Sequence, residues 1–107
     1  MTRAVALKVV DILQTLDVPF TYSHFKKETS VPFITYKFDG RDDFEADDVN
    51  YHKIVDVRID LYTRMLDLDL EERLEQLFED NELTYSVSDF YIESEDVFQK
   101  IYEMRFL

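Results

Sequence analysis

Lys53-Ile54-Val55-Asp56-Val57-Arg58-Ile59-Asp60-Leu61-Tyr62 is the stretch that decides the fold. Val55, Val57, Ile59 and Leu61 alternate with Asp56, Arg58, Asp60 and Tyr62. A period of two sends successive side chains to opposite faces, so this strand has one apolar and one polar face. Sheets with one solvated face are usually antiparallel. A layer of helices must then cover the apolar face, and the rest of the chain supplies two.

Upstream, residues 3–16 read as a helix, because Val5, Val9, Ile12, Leu13 and Leu16 fall on one stripe. Thr2 is a candidate N-cap. Asp17 and Pro19 stop the helix, since the residue before a proline is pushed to extended geometry. Its polar face is not rich in Lys or Arg, as a membrane-surface helix would be, so core packing is expected. Phe20-Thr21-Tyr22 reads as a short strand and residues 24–30 as loop. Residues 32–38, Pro-Phe-Ile-Thr-Tyr-Lys-Phe, are aromatic and β-branched and read as a strand. Residues 39–48 hold six carboxylates in ten positions, which predicts an exposed loop or extended arm.

Downstream, residues 69–80 form the second predicted helix, with Leu66, Leu70, Leu74, Leu77 and Phe78 as its stripe. Asp67 or Asp69 can cap it, and Asp69 with Glu72 approximates a capping box. Asp69 and Arg73 make a favourable i, i+4 pair, whereas Glu71–Glu75 and Glu75–Glu79 repel. Residues 84–92 and 97–106 read as a closing hairpin around Glu93-Ser94-Glu95-Asp96. The predicted order is α-β-β-β-α-β-β. It describes an α+β domain over 1–107: a mainly antiparallel sheet of about four to five strands with two helices on one face.

Composition narrows the function. The 107 residues suit one domain. There is no cysteine, which excludes disulfides, thiolate zinc sites and a cysteine nucleophile, and fits a reducing compartment. No apolar run approaches the roughly 20 residues of a membrane span, and the start does not read as a signal peptide. The net charge of −12 is split: residues 1–38 carry five basic and three acidic groups, residues 39–107 seven and twenty-one. That surface repels phosphate backbones, so nucleic-acid binding is not expected. A basic face of one copy could instead meet an acidic face of another.

A search for chemistry finds no catalyst. His24 and His52 have no Ser or Asp partner at a motif spacing, and one glycine cannot build a phosphate loop. Asp39, Asp42, Asp43, Glu45, Asp47 and Asp48 could in principle hold calcium, but the EF-hand spacing is not met. The expectation is no catalytic residue, no metal and no cofactor. The acidic stretch is then either solvated or acts through its charge.

Three segments together carry a resemblance: Val31-Pro32-Phe33-Ile34-Thr35-Tyr36, then Phe44-Glu45-Ala46-Asp47-Asp48-Val49-Asn50-Tyr51, then Val57-Arg58-Ile59-Asp60-Leu61-Tyr62-Thr63. Glu71-Glu72-Arg73-Leu74-Glu75 follows, and Tyr91-Ile92-Glu93-Ser94-Glu95 with Phe98-Gln99-Lys100-Ile101-Tyr102-Glu103 closes the chain. In order and spacing, over roughly residues 18–105, this is similar to the small tail-terminator (tail-completion, head–tail joining) proteins of siphophages and prophages. Where that family often has Ala-Asp-Asn, this chain has Ala46-Asp47-Asp48.

The resemblance implies a ring, commonly a hexamer, on the head-proximal end of a tail tube, assembled in the host bacterial cytoplasm. Its implied partners are further copies of itself, the tail tube protein and the head connector or stopper, with DNA passing through unbound. On that reading Asp39, Asp42, Asp43, Glu45, Asp47 and Asp48 are candidates for lumen or interface duty, and Arg3, Lys8, Lys26 and Lys27 for their basic neighbours. Two other readings remain: a head-completion or stopper protein, and an acidic DNA-mimicking inhibitor of a DNA-binding enzyme.

Overall fold

The computed structural model describes residues 3–43 and 53–106. Helix α1 spans Arg3–Gln14 and buries Val5, Val9, Ile12 and Leu13. Its end is built locally. The Thr15 hydroxyl donates to the Ile12 carbonyl at 2.8 Å, and Asp17 takes a left-handed φ of 59°. Aspartate is among the few residues other than glycine that visit this region routinely. The predicted cap, Thr2, lies outside the described residues.

Five strands follow: β1 (Phe20–Tyr22), β2 (Phe33–Asp43), β3 (Lys53–Thr63), β4 (Tyr85–Ile92) and β5 (Val97–Phe106), with helix α2 (Leu68–Asp80) between β3 and β4. The spatial order is β1-β2-β3-β5-β4. The fold is the expected α+β arrangement in the expected sequence order. Every neighbouring pair is antiparallel except β1 and β2. Those two are parallel, in register from Phe20 opposite Ile34 to Tyr22 opposite Tyr36. A parallel pair needs a crossover, and residues 23–32 provide it, reaching β2 through a cis Val31–Pro32 bond.

The acidic stretch is corrected in part. Residues 39–43 are not loop: they continue β2 along β3, with Arg41 opposite Val55, Asp42 opposite Ile54 and Asp43 opposite Lys53. The register slips by one residue between Phe38 and Arg41, where the chain has its one glycine, Gly40. Such a slip is a β-bulge, and it lets the strand resume pairing. Charge did not prevent the strand because pairing satisfies backbone groups whatever the side chains are. Residues 44–48, the rest of that expected loop, lie outside the described residues.

Register decides which face is buried. Ile34, Tyr36 and Phe38 stand opposite Leu61, Ile59 and Val57, while Ile59, Val57 and Val55 stand opposite Tyr102, Met104 and Phe106. These residues meet the α1 stripe and Leu70, Leu74 and Phe78 of α2 in one hydrophobic cluster. Each fully buried side chain of this kind contributes roughly 1.5–3 kcal/mol. Both helices therefore cover the same face.

The ends of α2 refine the sequence reading. Asp67 is the N-cap, and its carboxylate accepts from the Leu70 N–H at 3.1 Å. Asp69 thus lies inside the first turn and builds no capping box with Glu72. Leu66 precedes the cap, so it is not on the helix and stands 69% exposed, outside the stripe assigned to it. Arg73 reaches across to the Leu16 carbonyl at 3.1 Å. At the far end the Leu83 N–H donates to the Phe78 carbonyl and the Glu82 N–H to the Glu79 carbonyl. This is a Schellman closure with Glu82, φ 57°, where glycine is usual.

Candidate functional site

Helix α2 is locked to the sheet by polar contacts at the border of the core. The Lys100 ammonium lies 2.9 Å from Glu71 and 3.1 Å from Asp89, joining α2, β5 and β4. The Tyr102 hydroxyl donates to Glu75 at 2.7 Å. Burial, and then that bond to Glu75, push the Tyr102 phenol far above its ordinary value. Burial raises Tyr85 and Tyr62 as well, reinforced by the charges of Glu75 and Asp60 respectively. For Lys100, burial works downward, but the hydrogen bonds to Glu71 and Asp89 outweigh it and the ammonium is favoured.

All four shifts are upward, so folding favours the protonated forms. Their contribution is complete below the ordinary values, 10.0 for the tyrosines and 10.5 for the lysine, and is lost as pH climbs past them. The melting temperature should therefore hold through pH 8–9 and fall above about pH 10, with Tyr102→Phe flattening the fall. Circular dichroism melts across that range check it, and an equally steep loss in the Tyr102→Phe variant would refute the assignment.

The face of the sheet turned away from the helices is polar at its centre. Asp60 is only 4% exposed there. Its carboxylate accepts from Arg58 Nε at 2.8 Å and Nη2 at 2.9 Å, from Gln99 Nε2 at 3.1 Å and from the Tyr62 hydroxyl at 3.4 Å. Alternation marked Asp60 as polar-facing but could not show that its neighbours enclose it. The 23–32 crossover runs over one end of this face. Phe25 packs edge-on against Phe33, with centroids 5.2 Å apart, and Phe33 against Tyr62 at 4.9 Å. Crossover and sheet enclose a groove of about 800 Å³, lined among others by His24, Lys27, Thr35, Arg64, Glu95 and Val97.

The β4 side carries exposed apolar surface. Met65 and Leu66 before α2 are largely solvent-facing. Val87, Phe90 and Tyr91 of β4 are exposed as well, and Phe98 is 45% exposed beside Tyr91, with ring centroids 5.1 Å apart. Leu66, Phe90, Tyr91 and Phe98 line a shallow groove of about 270 Å³. Tyr91 stands opposite Phe98 in the closing hairpin, so the two side chains share one side of the sheet. Sequence alone could not show that no described element covers them, because coverage depends on where α2 begins.

The candidate residues are distributed, not gathered. Arg3 and Lys8 are exposed on α1, with the Lys8 ammonium 5.5 Å from the Phe106 ring centroid. Lys26 and Lys27 are exposed in the crossover, and the groove shared by Lys27, Phe33 and Tyr62 puts that crossover on the opposite face of the sheet from α1. Within one copy the four cations therefore make no single patch. Asp39, Asp42 and Asp43 fall in the outer part of β2, and Glu45, Asp47 and Asp48 lie outside the described residues. His24 is exposed, its Nδ1 3.2 Å from the Ser23 hydroxyl oxygen. His52 is outside the described residues. The arrangement is one of surfaces and edges suited to binding other proteins.

No protein-family model and no curated protein matches the chain. Among solved structures, the chain is similar to one from the virion of a native gene transfer agent (GTA) particle, with a TM-score of 0.58 and 10% identity. The likeness covers 88% of this chain and 81% of that one, and at such identity it establishes a shared fold.

Proposed function

We propose that this chain is a non-catalytic structural protein of a phage-type virion, and that it acts at the head–tail junction as a tail terminator. As a ring it caps the head-proximal end of the tail tube, stops tube polymerisation and offers its other face to the head connector or stopper. The observation that carries this reading is the shared fold with a chain of a gene transfer agent virion, over most of both chains. Order and spacing of the quoted segments support the finer role. The charge supports it too: a ring lumen bearing carboxylates repels passing DNA, so the strand does not adhere. In this reading the acidic stretch from Asp39 to Asp48 faces the lumen or a basic neighbour.

Particles assembled without this protein should carry overlong or unjoined tails, and the purified chain should cap isolated tube ends in electron micrographs. Leaking heads with tails of normal length would assign it instead to the stopper position. The −14 net charge of residues 39–107 favours a second reading, mimicry of DNA toward a basic enzyme. Tight, salt-sensitive binding to such an enzyme and no tube capping would establish that one.

A further inference from the structure

The sheet is open, and its two edges lie on opposite sides of the molecule. Strands β1 and β4 are the terminal members of the order β1-β2-β3-β5-β4, so each lacks a partner on its outer side among the described residues. The geometry points to a head-to-tail contact in which the β4 edge of one copy pairs with the β1 edge of a second copy. This deepens the ring reading above and rests on it for the identity of the partner.

Three observations converge. The first is strand direction. With β1 parallel to β2 and every later pair antiparallel, β4 runs opposite to β1. A second copy set alongside in the same orientation therefore presents β1 antiparallel to β4, the pairing two extended edges form most readily. Repeating a same-orientation, head-to-tail contact closes a ring when the rotation closes.

The second is that the β4 edge is unguarded. Natural edge strands are blunted by lysine, proline or brevity, yet β4 has eight residues and neither residue type. Its one charge, Asp89, is already paired with Lys100. Val87, Phe90 and Tyr91 stand exposed along it. On the other edge Tyr22 is about half exposed and rests on Tyr36 and Phe38. Side-by-side association would bury apolar surface from both.

The third is charge, which selects between the two ways a second copy could use β4. Residues 64–100, which include α2, β4 and the hairpin tip, carry three basic against twelve acidic groups, a net of −9. Residues 3–38, which include β1 and its crossover, carry five basic against three acidic, a net of +2. A two-fold contact of β4 with β4 sets −9 against −9, whereas β4 with β1 sets −9 against +2. Complementary potentials favour the second, and like charges brought together select against the first.

The absence of native cysteine makes the test direct. Single-cysteine variants Thr21→Cys on β1 and Ser88→Cys on β4, both on the face turned away from the helices, are each checked for folding by circular dichroism. They are then treated with a short bis-maleimide, alone and mixed, at about 1 mM protein, where even a contact of millimolar Kd is populated. Tyr22→Cys and Val87→Cys, both on the helix-covered face, serve as a second pair. The mixture should yield several-fold more covalent dimer than either variant alone, and Thr21→Cys/Ser88→Cys in one chain should yield a ladder. Dimers of Val87→Cys with itself, or no excess in the mixture with either pair, would overturn the inference. The cross-link reads contact between copies and not tail morphology. A negative result beside normal tail joining defeats this contact alone, and rings formed by a chain dispensable for joining defeat the functional reading alone.

Discussion

Phe78→Ala should lower the free energy of unfolding by about 3–5 kcal/mol, the range for truncating a fully enclosed aromatic. Phe78 has no solvent exposure. Its ring meets Tyr85 and Tyr102 edge-on, with centroids 5.3 Å away in each case, and those two rings lie 5.6 Å from one another. The triangle fastens α2 to β4 and β5. Small domains hold only about 5–15 kcal/mol in total, so this loss places the variant near the edge of folding at physiological temperature. The cavity would also strip packing from Tyr102, loosening its hydrogen bond to Glu75. Leu77 is a useful comparison, being next in sequence but only partly buried against the cluster, and Leu77→Ala should cost less than half as much. Urea unfolding followed by circular dichroism measures both. A loss under about 1 kcal/mol for Phe78→Ala would mean that α2 does not seat its apolar face as described.

Asp60→Ala should cost about 2–3 kcal/mol. Removing one partner of a buried ion pair costs about 3–5 kcal/mol, but the Arg58 side chain is 31% exposed, so water screens part of that. What remains comes from Gln99 and Tyr62, which lose the enclosed carboxylate as an acceptor. Asp60→Asn keeps an acceptor and loses the charge, so it should cost roughly half as much as the alanine variant. The urea midpoint should move while the slope m stays constant, because the surface exposed on unfolding is unchanged. Equal losses for Ala and Asn would show that the charge matters and the acceptor does not. No loss for either would remove the network from the account of stability. The proposed ring would benefit from a rigid sheet, because edges held in fixed register can meet a neighbour without first being ordered.

Much of the architecture was legible because the relevant signals are local. Alternation in β3, the α1 stripe and the Leu70–Leu74–Phe78 spacing each depend on a few neighbouring residues and on the period of the backbone. The Asp67 cap was one of two legible options, and structure chose between them by setting where α2 begins. The continuation of β2 past Phe38 was not legible, because a run of carboxylates reads as loop until a partner strand is seen to reach it. The candidate surface divided in the same way. Lys26, Lys27 and the acidic stretch could be named from composition, yet the apolar patch at Leu66, Tyr91 and Phe98 could not. Leu66 fell in the apolar stripe assigned to α2, and aromatic residues such as Tyr91 and Phe98 look like core by type.

From the amino-acid sequence alone came the order of helices and strands, the faces of the strands and the uneven charge, since each follows from nearest neighbours along the chain. Only the tertiary structure decided that β1 lies parallel to β2, that Asp60 is enclosed, and that, among the described residues, Leu66 and Phe98 remain uncovered and the unpaired edges are β1 and β4. These are statements about which distant segments meet. They depend on long-range pairing and on where each element stops, and no local pattern of residues encodes either.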